Sequence, residues 1–230
     1  MRTLIAAALF SLPLAARASA LEVVGFSPDG AYLAIIEHGV GEGSGLPWAR
    51  LSILEVAKNA QVSRTEVNLD SGGEDDAVAQ VKQRAEAARE KLQIAKWVPA
   101  KLIRHDQTGQ MRDHEDAPIG TLEIKARKAT SKQLPSGTAA CDAPFSPLLL
   151  KATVFFVDDE KPAVLASERK VPHERACSTG CALDQIYAHA RSALVVIKCA
   201  VPGFEGPASK PWPITGKLPH ALDEDLAPPH

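Results

Sequence analysis

The sequence predicts an α+β fold, mainly antiparallel β-sheet built from hairpins, with one long amphipathic helix packed on it. Three observations support this fold class. A turn motif separates two apolar segments near residue 28, a helical periodicity occupies residues 74–95, and apolar segments rich in β-branched residues recur in the last third of the chain.

The first predicted hairpin turns at Ser27-Pro28-Asp29-Gly30. Proline presets φ at such a turn, aspartate bonds back to the backbone, and glycine accepts a positive φ. The flanking segments 23–26 and 31–37 are therefore expected to pair. A glycine-rich loop over residues 39–45 then leads to a third strand at residues 50–56, which gives an antiparallel three-stranded sheet.

The predicted helix starts from the capping-box pattern Ser71 to Glu74 and ends before Pro99. Asp75 and Asp76 place negative charge near the positive end of the helix dipole. Apolar residues at positions 78, 81, 85, 88, 92 and 95 alternate spacings of three and four, which forms one face for packing on a sheet. A coiled-coil partner surface is the alternative interpretation.

In the second half, residues 148–157 and 163–169 predict a second hairpin, and residues 193–201 and 212–217 predict two further strands. Residues 122–126 alternate like a strand. By contrast, residues 104–118 and 132–147 are polar or contain proline, so loops are expected there.

A weak internal repeat appears when the chain is shifted by 161 residues, which places Leu33 on Leu194. The other matches are Val40 with Val201, Gly45 with Gly206 and Ile53 with Ile214. In both copies a strand runs into a Gly/Pro loop and then into another strand. Four matches can also arise by chance, so the repeat is a hypothesis for the structure to test.

Residues 1–20 have the features of a cleavable signal peptide, with Arg2, an apolar run over residues 4–14 and the small-residue ending Ala18-Ser19-Ala20. We therefore expect a periplasmic or secreted protein, with a single α+β domain over residues 21–219 and a disordered tail over 220–230. No later apolar run approaches the roughly 20 residues that span a bilayer, so no membrane insertion is expected. Without Arg2 and Arg17 the chain has 26 − 2 = 24 basic and 28 acidic residues, which argues against a nucleic-acid partner.

The four cysteines, Cys141, Cys177, Cys181 and Cys199, all lie in the second half. An even number in an exported chain predicts two disulfides, for which three pairings are possible. We expect Cys177 to pair with Cys181 across Gly180, which leaves Cys141 for Cys199.

Three motifs carry a family resemblance: Gly25-Phe-Ser-Pro-Asp-Gly-Ala-Tyr-Leu-Ala34, Gly43-Ser-Gly-Leu-Pro47 and Pro202-Gly-Phe-Glu-Gly-Pro207. Together they resemble a bacterial family of predicted secreted proteins of unknown function. The resemblance spans most of the mature chain and implies export and a shared fold. It carries over no activity, cofactor or catalytic residue.

Two clusters have metal-ligating residue types: His173, Cys177, Cys181 and His189, and a second set of His105, Asp106, His114, Glu115 and Asp116. An oxidising compartment favours disulfides over a metal site at the first set. The second set lacks the ligand spacing of a calcium loop. The glycines near Ser44 match neither a nucleotide-binding loop nor a nucleophile elbow. No cofactor, metal ligand or catalytic residue is therefore predicted.

The functional hypothesis is a non-enzymatic binding or interaction module for an unknown envelope or extracellular protein or ligand. Loops at hairpin ends are the expected contact sites. The candidate residues are Gly41, Gly43, Ser44, Gly45 and Trp48 in one loop, and Gly203, Phe204, Glu205 and Gly206 in another. The alternative hypothesis is a metal-dependent hydrolase or metal-binding protein that uses the His/Cys or His/Asp clusters.

Overall fold

The computed structural model describes residues 19–41, 43–113, 115–136, 141–157, 159–172, 177–203 and 206–222. Within them the chain forms two antiparallel sheets and one α-helix, which confirms the predicted α+β class. Residues 1–18 of the expected signal peptide and residues 223–230 of the expected tail lie outside the described residues. Leu222, which belongs to the expected tail over residues 220–230, is described and is buried.

Four strands form the first sheet in the order β1-β2-β3-β4. They are β1 (Ala20–Phe26), β2 (Tyr32–Val40), β3 (Pro47–Glu55) and β4 (Ala60–Asn68). The predicted hairpin at residues 27–30 is confirmed, because β1 and β2 pair on either side of it. The expectation of three strands is wrong: β4 was missed because Val67 is its one buried residue, so its apolar alternation is faint.

Helix α1 (Glu74–Lys91) lies on one face of this sheet. Its cap differs from the prediction, since Gly73 is the N-cap residue and the Asp76 carboxylate accepts the Gly73 N–H at 2.8 Å. The buried helix residues Ala77, Val81 and Ala85 pack against β2 and β3. The predicted helix and its packing role are therefore confirmed, with a different cap.

Eight strands form the second sheet, in the order β12-β11-β10-β5-β6-β7-β8-β9. Their bounds are β5 (Lys101–His105), β6 (Gln110–Arg112), β7 (Pro118–Lys128), β8 (Leu148–Phe156), β9 (Ala163–Ser167), β10 (Thr179–His189), β11 (Ser192–Val201) and β12 (Ala208–Lys217). The second predicted hairpin is β8 and β9. The expectation of a loop over residues 104–118 is wrong, because β6 and the end of β5 lie there.

The second sheet curls until its edge strands β9 and β12 approach each other. At the contact, a Cβ added to Gly216 would lie 2.3 Å from the carbonyl oxygen of Leu165. Glycine is required here for close backbone approach. The concave side encloses a core that includes Ile103, Leu150 and Ile214.

The first sheet lies between α1 and the second sheet. On β2, Ala34 and Ile36 face the helix, whereas Leu33 and Ile35 pack against Leu194 and other residues of the second sheet. Because both faces of β2 are covered, its burial is nearly continuous. The continuous apolar run of β11 has the same cause.

The structure supports the repeat at a shift of 161 residues. The β2–β3 pairs run from Tyr32 with Glu55 to Val40 with Pro47, and adding 161 to each number gives pairs of the β11–β12 ladder. Most β1–β2 pairs shift onto β10–β11 pairs in the same way, and both first strands carry a bulge at nearly the same place. The meanders β1-β2-β3 and β10-β11-β12 are therefore equivalent in register.

Two disulfides join Cys141 to Cys177 and Cys181 to Cys199, so the expected pairing is wrong although the number is right. Cys181 lies in the strand β10 (Thr179–His189), whereas Cys177 precedes it. Cys181 instead faces β11, where Ala182 pairs with Lys198 beside Cys199. A missed strand therefore caused the wrong pairing.

Candidate functional site

The first predicted contact loop connects β2 to β3 and is held by its own backbone. The Gly41 N–H donates to the Leu46 carbonyl at 2.8 Å, and the Gly45 N–H donates to the Gly41 carbonyl at 3.0 Å. Gly43 and Gly45 have φ values of 80° and 66°, and a Cβ on either would meet no atom within 4 Å. The loop is thus a defined turn that projects into solvent.

The second predicted contact loop connects β11 to β12, at the equivalent point of the repeat. Gly206 has a φ of 130° and open space around its Cβ position. Phe204 and Glu205 lie outside the described residues. The two loops follow equivalent strands, so they are expected to occupy equivalent ends of the two sheets.

The structure brings the bases of both loops together around a cavity of about 170 Å³. Its lining is Ser19, Gly39, Val40, Gly41 and Trp48 from the first sheet side, and Val201, Pro202, Ala208, Ser209 and Lys210 from the second. Of the predicted contact residues, Gly41 and Trp48 line it. Gly43, Ser44, Gly45, Gly203 and Gly206 belong to the loops but do not line the cavity. We call this region the loop end.

Trp48 forms one wall of the loop-end cavity. Its ring packs on Gly39, where an added Cβ would lie 3.5 Å from the indole, and the Arg50 guanidinium carbon lies 5.6 Å from the ring centroid. Across the cavity, the Lys210 ammonium lies 4.6 Å from the centroid of Trp212. An aromatic wall beside a cation can bind a ligand with apolar and negatively charged parts. Sequence reasoning missed Lys210, which precedes the strand that was predicted there.

At the opposite end, the two repeat-related turns meet in a buried cluster. The fully buried Ser192 hydroxyl donates to the Gly30 carbonyl at 2.7 Å, and the Lys217 ammonium donates to the Ser192 oxygen at 2.7 Å. Desolvation lowers the pKa of Lys217, with a further contribution from Arg191, while Asp29 opposes it. A serine and a lysine at this distance can form a catalytic pair. Here Ser192 has no exposed surface and donates its hydroxyl proton to the Gly30 carbonyl. The pair therefore links the two turns.

The turn also holds Asp29, whose carboxylate accepts the Ser27 hydroxyl at 2.6 Å and the Ala31 N–H at 3.0 Å. These bonds lower the pKa of Asp29 below its usual value, and the bond from the Ser27 hydroxyl has the largest effect. Because the folded-state pKa is depressed, the stabilisation is present above the unfolded-state pKa of about 3.9 and is lost as the pH falls through the folded-state value.

We expect Asp29→Asn to lower the free energy of unfolding at pH 7 by about 0.5 kcal/mol, a small loss because Asp29 is exposed and solvent screens its charge. The difference from the wild type should be smaller at pH 3 than at pH 7, because pH 3 lies below the unfolded-state pKa of about 3.9. Urea unfolding of both proteins at the two pH values measures it. A difference that stays constant with pH would show that the charge of Asp29 contributes nothing.

A larger cavity, of about 580 Å³, contains an acid–base pair that sequence reasoning missed. The His220 Nε2 lies 2.9 and 3.0 Å from the two carboxylate oxygens of Asp159, and its ring meets Phe156 edge-on. The other lining residues are Asp113, Pro118, Ile119, Val157 and Leu222. The described lining includes no hydroxyl or thiol. His220 was assigned to the expected tail and was not considered as a site residue.

The first candidate metal cluster is not formed. Cys177 and Cys181 are in different disulfides, and His189 stacks on Phe26 with its Nε2 3.2 Å from the Pro28 carbonyl. His173 lies outside the described residues.

In the second candidate cluster, Asp106 and His105 make hydrogen bonds within the fold. His114 lies outside the described residues. Asp106 accepts the Thr108 hydroxyl at 2.6 Å and two backbone N–H groups, which also lower its pKa. His105 lies within hydrogen-bond distance of two carbonyls. In the part of the chain that the structure describes, no group of three or more His, Cys, Asp or Glu residues is placed to hold a metal ion.

The fold and its two disulfides define a β-rich, disulfide-bonded protein of the kind made for export. The chain belongs to the family described as predicted secreted protein (DUF2259), whose model matches residues 34–217. This match confirms both the resemblance and the expectation of a periplasmic or secreted location. Comparison with curated proteins and with solved structures gave no match.

Among the described residues, no helix combines the length and the apolar composition needed to cross a membrane.

Proposed function

We propose that this protein is an exported, non-enzymatic binding or interaction module whose contact surface is the loop end. One observation carries the proposal: two loops that are 161 residues apart in sequence, and equivalent in the repeat, meet around one cavity. Loops held by a rigid scaffold are the usual place for binding residues. The ligand or partner would contact apolar surface at Trp48 and Leu46 and the cation of Lys210.

The proposal is supported by exposed apolar residues in the two loops. Leu46 is 39% exposed although it is apolar, and Pro202 is also exposed. Two hydrogen bonds, from the Gly41 and Gly45 N–H groups, hold the described backbone of the first loop, so its ordering on binding would cost little conformational entropy. A polar loop without these bonds would support binding less well.

The test uses Leu46→Asp and Lys210→Glu in the mature protein, with Leu102→Asp as the matched control. Leu102 is also an exposed leucine, at 57%, but it lies on β5 and not at the loop end. A partner captured from the native envelope fraction is purified, and its affinity for each variant is measured. We expect Leu46→Asp and Lys210→Glu each to weaken binding at least tenfold, about 1.4 kcal/mol, and Leu102→Asp to leave it unchanged.

Equal binding by all three variants would show that the loop end is not the contact surface. Turnover of a substrate in a broad hydrolase panel, abolished by His220→Ala, would contradict the non-enzymatic proposal and point to the cavity of Asp159 and His220 instead.

A further inference from the structure

A second groove, separate from the loop end, lies between the edge strand β4 and helix α1. It has a volume of about 390 Å³. The strand contributes Val62, Ser63 and Thr65, and the helix contributes Arg84, Ala87, Ala88, Lys91 and Leu92. All of these residues belong to the described part of the chain, and none contributes to the proposed contact surface.

The outer edge of β4 presents peptide groups beside this groove. The Leu69 N–H donates to the Pro47 carbonyl at 3.0 Å, so alternate residues from Leu69 backwards bond towards β3. The peptide groups of Glu66 and Asn68 therefore face away from β3. The Arg84 guanidinium bonds to the Glu66 carbonyl oxygen at 3.1 Å, which independently shows that this oxygen faces outward.

Within the described residues, β4 pairs with β3 and with no other strand. Its outer edge is thus able to accept a further strand. Edge strands are the usual template for pairing with another polypeptide.

A bulge in β4 supplies apolar surface to the groove. Ser63 pairs with Ile53 and Gln61 pairs with Leu54, so Val62 is the extra residue and has no residue opposite it. Its side chain is 43% exposed. Ala87, Ala88 and Leu92 continue the apolar surface on the helix, and the small alanines leave room for a side chain of an occupant.

The charged groups that line the groove are both cations. Arg84, Ala88 and Lys91 are spaced by four and three residues, so they form one stripe along the helix. Arg84 and Lys91 are therefore about 10 Å apart along the helix axis.

The nearest acid on β4, Glu66, does not neutralise this stripe. Its carboxylate bonds to Arg50 at 3.1 Å and to Arg64 at 3.0 Å. Side chains alternate across a strand, so Glu66 points to the face opposite Thr65 and Val67, which face the helix. The groove thus favours an occupant with negative charge.

We propose that this groove binds an extended peptide segment with acidic side chains, which adds to β4 as a fifth strand. Strand addition is a general mode of peptide recognition, in which backbone hydrogen bonds give affinity and side-chain pockets give specificity. The outward peptide groups of β4, other than the Glu66 carbonyl that already accepts Arg84, would supply the backbone bonds. Val62 and the alanines would supply the apolar contacts, and Arg84 and Lys91 the selection for negative charge. About five residues of peptide would cover the outer edge from residue 64 to 68.

The experiment screens a displayed library of random seven-residue peptides against the mature protein. The peptide that is most enriched is synthesised, and its affinity is measured by fluorescence anisotropy. Each variant is first shown by circular dichroism to unfold at the wild-type temperature, which is expected because Ala87 and Lys91 are exposed. The variants are Ala87→Trp, which fills the groove, and Lys91→Glu, which reverses its charge.

Matched controls are Gln83→Trp and Lys96→Glu, two exposed positions that do not line the groove. We expect enrichment of acidic sequences, a loss of affinity of at least tenfold in Ala87→Trp and Lys91→Glu, and no loss in the controls. Methylation of the alternate peptide nitrogens that face β4 should weaken binding, and methylation of the other alternate set should not. A strand presents alternate N–H groups to opposite sides.

Several results would overturn the proposal: no enrichment, enrichment of basic or uncharged peptides, or equal binding by both groove variants. Light scattering identifies a different occupant. A doubled molecular mass that Ala87→Trp returns to the monomer value would show that a second copy of the chain covers this edge, and would replace the peptide.

Discussion

Replacing Gly216 by alanine is expected to destabilise the protein by about 3 kcal/mol, the largest effect that we predict for a single methyl group. The new Cβ would lie 2.3 Å from the Leu165 carbonyl oxygen and 2.7 Å from its carbonyl carbon. These are backbone atoms, so no side-chain rotation relieves the overlap. Either β9 or β12 must move, and with it the contact that brings the two edges of the second sheet together.

Gly39→Ala is the matched control for this substitution. Gly39 is also a strand residue without a positive φ, and a Cβ there would meet the Trp48 ring at 3.5 Å, an ordinary contact. We expect its free energy of unfolding in urea to change by less than about 0.5 kcal/mol. Similar losses in Gly216→Ala and Gly39→Ala would contradict the close approach of β9 and β12.

Removal of either disulfide is expected to have the second large effect. Cys141 and Cys177 are separated by 36 residues, and Cys181 and Cys199 by 18. From the loss of loop-closure entropy, the double alanine variants should lose about 4 and about 3 kcal/mol respectively. Cys199 is also buried in the core, so its replacement adds a packing loss to the second value.

Urea unfolding with and without a reducing agent measures these effects. The wild type under reducing conditions should approach the stability that remains when both pairs are replaced. Peptide mapping of the oxidised protein should give the fragments Cys141–Cys177 and Cys181–Cys199. A fragment that links Cys177 to Cys181 would contradict the structure.

The elements that sequence analysis found have strong local signals. The turn at Ser27-Pro28-Asp29-Gly30 has suitable chemistry at each position, and α1 has a regular apolar face. The strands β2, β8 and β11 have long apolar or β-branched runs because they are covered on one or both faces. In these elements, local pattern and tertiary environment agree.

The missed elements are stabilised by their neighbours more than by their own composition. β10 includes Gly180, Asp184 and Gln185 and pairs with β11 across two bulges, which interrupt its alternation. β6 has three residues, of which Met111 is buried. Without β10, no local pattern indicated that Cys181 lies opposite Cys199.

The candidate site was predictable in part. Loop composition indicated Gly41 and Trp48, and the structure places both on one cavity. The sequence could not show that Lys210 shares this cavity, nor that β4 and α1 enclose a groove, because each depends on how separate elements pack. Those arrangements are tertiary, and no periodicity within one element encodes them.

The repeat is also a symmetry, because equivalent residues of the two meanders contact each other. Pro28 lies against its own equivalent, His189, which is 161 residues further along the chain, and Leu33 shares a core cluster with its equivalent, Leu194. In a symmetric homodimer, residues near the twofold axis meet their own copies in this way. The two meanders thus contact each other like the subunits of a dimer whose interface has become internal to one chain. A single meander would expose the apolar face that contains Leu33 and Ile35, so the second copy is what allows the first to be buried.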